Sequence, residues 1–401
     1  MHVIQYCLLE EHDDEYVDKG ISLDEIEQGT ESFSYHESIL TWNKKGIWLI
    51  KSNEHEEAIS CFDEAIKLDP EISGVWYNKG FALGSMGEHE EAISCFDETI
   101  RLEPEHPKVW RWRGISLTSL DEYEEAISCF DEALRLNPEH AQVWNDKGLA
   151  LHLLKKHEES ITCFDESIRL NSEDSDTWHN KSLSLGALEK YEEAISCSDE
   201  AIRLDPENSY ALMWKGDTLS DQEKYEESIS CFDEAIKLDP KISDSWYSKG
   251  FALHSLGKHE EAIACFNEAI RLEPEHTSPW GTKGNALDSL GKYEEAIACY
   301  DEAIKLDPED TVSWYYKGLS LSWLEKYEEA IACYDEAIKL DPKIFGMWYN
   351  KGNALVRQGK YEEAIACYDE AIKLEPEAGS VWDIKGKVEY CHAKARQLEE
   401  S

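Results

Sequence analysis

The chain has 401 residues, 41% of them hydrophobic, with 14 tryptophans, which is enough apolar material for a substantial folded core. Eighty-five acidic against 40 basic side chains give a formal net charge of −45. A field of that sign repels nucleic-acid phosphates and anionic lipid, so neither is an expected partner, and basic protein surfaces are favoured.

The first 38 residues hold 11 acids and one lysine. Ser22-Leu-Asp-Glu25 has the form of a helix capping box. Asp18-Lys-Gly20 is reminiscent of a calcium loop, but the acids that such a loop needs are out of register. An acidic, partly disordered lead or an N-terminal cap is the expectation for 1–38. The amino terminus, MHVIQYCLLEEHDDE, lacks the basic n-region of a secretory leader. No stretch is long and apolar enough to read as a membrane span. A cytoplasmic location and no membrane partner are the corresponding expectations.

From residue 39 the chain repeats itself. Trp42, Trp76, Trp110, Trp144 and Trp178 lie 34 residues apart, and the ladder continues through Leu212 to Trp246, Trp280, Trp314, Trp348 and Trp382. A fixed period of this size is the mark of a stacked-repeat protein. Within one unit the spacing predicts two helices. The first carries Trp76, Gly80, Leu83 and Met86 on one side and Tyr77, Phe81 and Ser85 on the other. A turn follows at Gly87-Glu88-His89, then a second helix from about Glu90 to Leu102. Its Ala92, Ile93, Cys95, Phe96, Thr99, Ile100 and Leu102 form a wide apolar face. Pro104 stops it.

Trp-x-x-Lys-Gly-x-x-Leu, then Ala-x-x-x-Phe, then Pro resembles the tetratricopeptide repeat, a helix-turn-helix unit. The resemblance covers 39–378 as ten repeats, with 379–401 as a C-terminal capping helix. Two departures from the family pattern stand out: Lys79 where leucine is usual and Leu83 where tyrosine is frequent. The resemblance implies an all-α fold, a right-handed superhelical solenoid in which first helices line a concave groove. It also implies a non-catalytic scaffold that binds partner proteins or peptides, with no cofactor and no metal. The residues agree: no Ser/His/Asp order, His-Glu-x-x-His motif or phosphate-cradling glycine loop is present. A peptide-responsive sensor whose superhelix changes shape is the alternative reading.

Ten of the twelve cysteines occupy one slot, from Cys61 to Cys367, inside the apolar arc of the second helix. Packed helix axes sit about 8–10 Å apart, too far for a chain of disulfides. Buried thiols in a reducing environment are expected. Every first helix carries a base three residues after the tryptophan slot, from Lys45 to Lys385. These bases are predicted to pair with acids of the preceding second helix.

Second helices hardly vary along the chain, whereas the other face of the first helices does, and specificity is expected there. The slot after the tryptophan holds Tyr77, Arg111, His179, Tyr247, Tyr315 and Tyr349. One turn on stand Phe81, Phe251, Asn285 and Asn353, and two residues after the tryptophan slot stand Trp112, Trp214 and Tyr316. Such aromatics combine apolar area with a polar handle. Together they predict a ligand with apolar anchors and basic residues. The family's clamp for acidic chaperone tails needs lysine followed four residues later by asparagine. Here Asn285 follows Gly281 and Asn353 follows Tyr349, so that function is not carried over.

The pattern falters once. Ser172 replaces the turn proline, Ser182 the glycine, Ser198 the phenylalanine and Leu212 the tryptophan, with Trp214 as a partial substitute. A softer joint is predicted over 172–214.

Overall fold

A computed structural model of the chain describes residues 35–377 and 379–399. The acidic lead up to residue 34, with its capping-box and calcium-loop stretches, lies outside the described residues. The described chain forms 21 α-helices. It divides between Asp205 and Pro206 into two compact units. The first unit contains α1 (Tyr35–Lys51), α2 (His55–Leu68), α3 (Ser73–Ser85), α4 (His89–Leu102), α5 (Pro107–Ser119), α6 (Tyr123–Leu136), α7 (Ala141–Leu153), α8 (His157–Leu170), α9 (Ser175–Ala187) and α10 (Tyr191–Leu204). The second contains α11 (Ser209–Asp221), α12 (Tyr225–Leu238), α13 (Ser243–Ser255), α14 (His259–Leu272), α15 (Thr277–Ser289), α16 (Tyr293–Leu306), α17 (Thr311–Trp323), α18 (Tyr327–Leu340), α19 (Phe345–Arg357), α20 (Tyr361–Leu374) and α21 (Gly379–Glu399). Within each unit every helix packs on the one before it and the one after, which is a helical solenoid. The first repeat helix begins at Tyr35, four residues ahead of the boundary read from the sequence. Among the described residues no helix is long and apolar enough to cross a membrane.

The repeat closes on a single contact. In nine repeats the first-helix glycine lies so near the second-helix ring that an added Cβ would stand within 2.7 Å of it; Gly80 meets Phe96 in this way and Gly284 meets Tyr300. Any other residue forces the ring out of place. Ala92, Cys95, Phe96 and Thr99 form the buried face of α4, and the equivalent positions recur along the chain. The ten slot cysteines are free thiols, nine of them buried. Burial pushes several of them, Cys95 among them, up to about 11, which keeps them protonated and unreactive near neutrality.

The intra-repeat turn ends the first helix with a left-handed residue followed by an N–H that reaches the carbonyl five residues back. Gly87 has φ 86°, and Glu88 N–H donates to the Leu83 carbonyl at 3.0 Å. Six repeats place a non-glycine residue here, Glu189 at φ 57° among them.

Three further contacts recur along the chain, of which the lysine–aspartate pair joins one repeat to the next. The tryptophan indole N–H donates to the carbonyl six residues earlier, as from Trp76 to Pro70 at 2.9 Å. The lysine of the same helix stands over that indole, 5.4–6.0 Å from its centroid in repeats with this pair. Its ammonium then reaches the aspartate 16 residues earlier, on the preceding second helix. Lys79–Asp63, Arg113–Asp97, Lys147–Asp131 and Lys181–Asp165 in the first unit show the predicted pairing at 2.6–2.8 Å. Lys249–Asp233, Lys317–Asp301, Lys351–Asp335 and Lys385–Asp369 repeat it in the second. For Lys283 the residue 16 positions earlier is Asn267, not an aspartate. The aspartates are about half exposed, so each pair contributes no more than about 1 kcal/mol.

Repeat 5 breaks the closure and compensates for part of it. Ser198 leaves no ring, and Ser182 occupies the space the ring would have required to be empty. Both are buried. Ser182 Oγ donates to the His179 carbonyl at 2.6 Å, while Ser198 Oγ has no hydrogen-bond partner. Ser172, by contrast, costs nothing in this respect, because its carbonyl still accepts from Trp178 at 3.0 Å. In repeat 6 Leu212 is itself buried and Trp214 is 40% exposed, so the second tryptophan does not take over the slot.

The expected consequence is a sign change between two variants. Ser198→Phe alone drives the ring against Ser182 and lowers the thermal midpoint. Ser182→Gly with Ser198→Phe restores the closure and raises it, a gain of about 2–4 kcal/mol. Amide exchange over 172–204 reports the same difference. A stabilising Ser198→Phe single variant contradicts the glycine–ring constraint.

Candidate functional site

Adjacent first helices meet through a ladder of side chains 35 residues apart. The slot after the tryptophan in one repeat contacts the slot two after the tryptophan in the next. Asn78 Nδ2 donates to Asn43 Oδ1 at 3.0 Å, and Asn180 Nδ2 to Asn145 Oδ1 at 3.1 Å. Arg111 Nε donates to Asp146 Oδ2 at 2.6 Å, and Asn350 Nδ2 donates to Tyr315 Oη at 2.9 Å.

This ladder corrects part of the site expected from the sequence. Arg111 is 3% exposed and engaged by Asp146, so its guanidinium is committed within the fold. Trp112 is buried, and the Phe81 ring packs edge-on against it with centroids 5.0 Å apart. His179 is buried, and burial holds its imidazole down at about 4, neutral at physiological pH. Asn285 and Asn353 have an internal role. In repeats 8 to 10 a tyrosine replaces the closing phenylalanine, and its buried hydroxyl needs an acceptor. Tyr300 Oη donates within reach of Asn285 Oδ1 and Asp288 Oδ2, each at 2.8 Å, and Tyr368 Oη donates to Asn353 Oδ1 at 2.9 Å. In repeat 9, Ser322 Oγ lies 3.1 Å from Tyr334 Oη.

The other six expected residues keep accessible surface. Tyr77 and Tyr247 are half-buried, each tilted against a histidine, His106 and His276 respectively. Tyr315 and Tyr349 are also half-buried, Tyr349 stacked on Phe345 at 5.8 Å. Trp214 is exposed, and Phe251 is 45% exposed. The contrast between Phe81 and Phe251 is local. The near-identical repeats 2 and 7 are followed by different neighbours: Trp112 covers Phe81, whereas Thr282 stands in the equivalent position after Phe251.

The same change of neighbour opens a recess of about 340 Å³ on α13, α15 and α17. Gly281 stands where the flanking repeats carry Tyr247 and Tyr315, so the ladder has no side chain to meet Tyr316. Tyr247, Tyr300 and Tyr316 wall the space; Thr277, Ser278, Thr282, Asn285 and Ser313 supply hydroxyls and an amide; Asp307 and Asp310 supply carboxylates. No basic side chain lines it. Sequence reasoning passed over Gly281 because a missing side chain carries no chemistry of its own. The signal was its position in a slot that is otherwise filled.

Asp217 was also missed. It occupies the slot of Phe81 and Phe251 in repeat 6. Burial, with Asp221 and Asp244 nearby, raises its carboxyl to about 7, and a hydrogen bond with Ser248 opposes the rise. Among the described residues no group of three or more histidine, cysteine or acidic side chains is placed to hold a metal ion.

Tetratricopeptide repeat models match residues 39–72, 74–106, 119–175, 175–208, 216–257, 243–276, 279–310, 312–344 and 347–377. Among curated proteins, none matches the chain. Among solved structures, a tetratricopeptide repeat protein from Parabacteroides merdae is 16% identical, with a TM-score of 0.52 over 59% of this chain and 94% of that one. YrrB, described as a TPR protein with an unusual peptide-binding site, is 24% identical, with a TM-score of 0.41 over 47% of this chain and 97% of its own. Yeast Tom70 is 17% identical, with a TM-score of 0.43 over 92% of this chain and all of its own. The first of these shows the fold.

Two variants probe the ladder. Arg111→Ala leaves Asp146 buried without its cation and is expected to cost about 3–5 kcal/mol, while Arg111→Met with Asp146→Leu recovers most of that loss in urea unfolding. For Asp217 the folded carboxyl titrates above the unfolded one, so native stability is lost as pH rises from about 4 towards about 7. Asp217→Asn is therefore expected to match the parent at pH 4 and to exceed it at pH 8 by about 4 kcal/mol. Parallel pH profiles for the two chains contradict the assignment.

Proposed function

The chain belongs to the tetratricopeptide repeat family, and from that premise we propose that it is a non-catalytic scaffold that binds peptide segments of partner proteins along its first helices. One observation carries this reading. Second helices, glycine–ring contacts and lysine–aspartate pairs recur in most repeats with few exceptions, while the first-helix face changes residue by residue and is left open at Phe251 and Gly281. Uniform parts hold the solenoid together, and the differing, accessible parts are free to discriminate. Tyr247, Phe251, Trp214, Tyr315 and Tyr349 offer amphipathic rings with few rotamers to freeze. The surrounding acid favours a partner with basic residues beside its apolar anchors and speeds its approach.

The sensor reading draws on repeat 5. A buried hydroxyl without a partner and a missing ring lower the local stability of that repeat, the element on which a shape change would turn.

Affinity capture with the full chain tests the scaffold. Trp214→Ala with Phe251→Ala removes the two most exposed rings of the set and leaves the glycine–ring contacts in place, so helicity and melting are expected to match the parent. Proteins held by the parent and lost by this variant support binding on the first-helix face. Equal capture by both removes that face from the function.

A further inference from the structure

Binding by the scaffold needs at least one place where a partner side chain is selected for its chemistry, and the recess in repeats 7 to 9 has the composition for one kind. We propose that it is a binding site for an arginine side chain of a partner peptide; this rests on the peptide-binding reading above.

The recess exists because the inter-repeat ladder has a gap. Elsewhere the slot after the tryptophan carries a side chain that meets the next repeat, as Arg111 meets Asp146 and Tyr315 meets Asn350. At Gly281 there is none, and a Cβ built there comes no nearer than 3.4 Å to the Ser313 hydroxyl. Some 340 Å³ is left open, enough for a long side chain and ordered water.

Its lining selects among occupants. Asp307 and Asp310 bring negative charge and no base offsets it, which excludes phosphate and carboxylate ligands. Each aspartate has one oxygen engaged by backbone, Asp307 Oδ1 by Glu309 N–H and Asp310 Oδ1 by the Val312 and Ser313 N–H groups. Their second oxygens remain to accept. A purely apolar ring would desolvate these carboxylates without compensation. A guanidinium satisfies them: it is planar, stacks on tyrosine, and presents five donors to carboxylates and hydroxyls. Lysine brings a more strongly hydrated point charge that stacks poorly and fits less well. Phe251 lies one turn from Tyr247 on α13, positioned for an apolar residue of the same peptide.

A displayed library of random ten-residue peptides, selected on the full chain at low and at physiological salt, tests the site. The expected result is a shared arginine among the selected peptides. Replacing it with citrulline, its neutral isostere, weakens Kd at least tenfold, and replacing it with lysine weakens Kd less. Gly281→Tyr fills the recess with the residue that repeats 7 and 9 carry there, and is expected to weaken Kd at least tenfold with unchanged melting; Gly281→Ala retains binding. If the tyrosine variant does not fold, Thr282→Trp, the residue repeat 3 carries in that position, serves the same purpose. Peptides that bind without arginine, or whose affinity ignores both the citrulline and the filling variants, overturn the arginine site while the scaffold stands. Failure to select any peptide overturns both.

Discussion

A glycine on one helix pressed against an aromatic ring on the next is the contact on which the rest of this solenoid depends. It brings the two helices of a repeat close enough for Ala92 and Cys95, and their counterparts, to be fully enclosed. Only glycine permits the approach, and only a ring fills the space it creates, so the two positions change together. Repeat 5 shows the dependence from the other side: where the ring is lost as Ser198, the glycine is no longer required and Ser182 takes its place. The same constraint explains repeats 8 to 10. A tyrosine in the ring position brings a hydroxyl into the core, and Asn285, Ser322 and Asn353 are present to meet it.

Around that contact the electrostatics divide into two kinds. The Lys–Asp pairs at 16-residue spacing lie on the surface and repeat without regard to neighbours. Each is weak. The Arg111–Asp146 pair is buried, and its energetic weight lies in the cost of losing one partner. The acid that gives the chain its charge is carried mainly on solvated second-helix faces. Two of these acids, Asp307 and Asp310, line the recess instead.

Accessible first-helix surface in this architecture comes from interruption. A regular array buries its first-helix side chains against one another, as Phe81 and Trp112 do. Exposure arises where the neighbour is small: Thr282 uncovers Phe251 and Gly281 empties the slot beside Tyr316. Two repeats with nearly the same sequence thus present different surfaces, because what a residue does here is decided by the following repeat.

The sequence by itself determined the period, the two helices per repeat, the buried cysteine slot and the lysine–aspartate register. All of these follow from spacing along a helix and from a 34-residue shift, both of which are local and repeated ten times. The tertiary structure alone decided which variable residues are available. Arg111, Trp112, Phe81 and His179 vary between repeats in the manner of ligand-binding residues yet are buried, and Asn285 and Asn353 serve tyrosine hydroxyls. Variation marked a helix face without separating side chains that stay accessible from those that face the next repeat. That distinction depends on pairs 35 residues apart, one on each of two helices, and on an empty position at Gly281. It becomes visible only when the repeats are stacked.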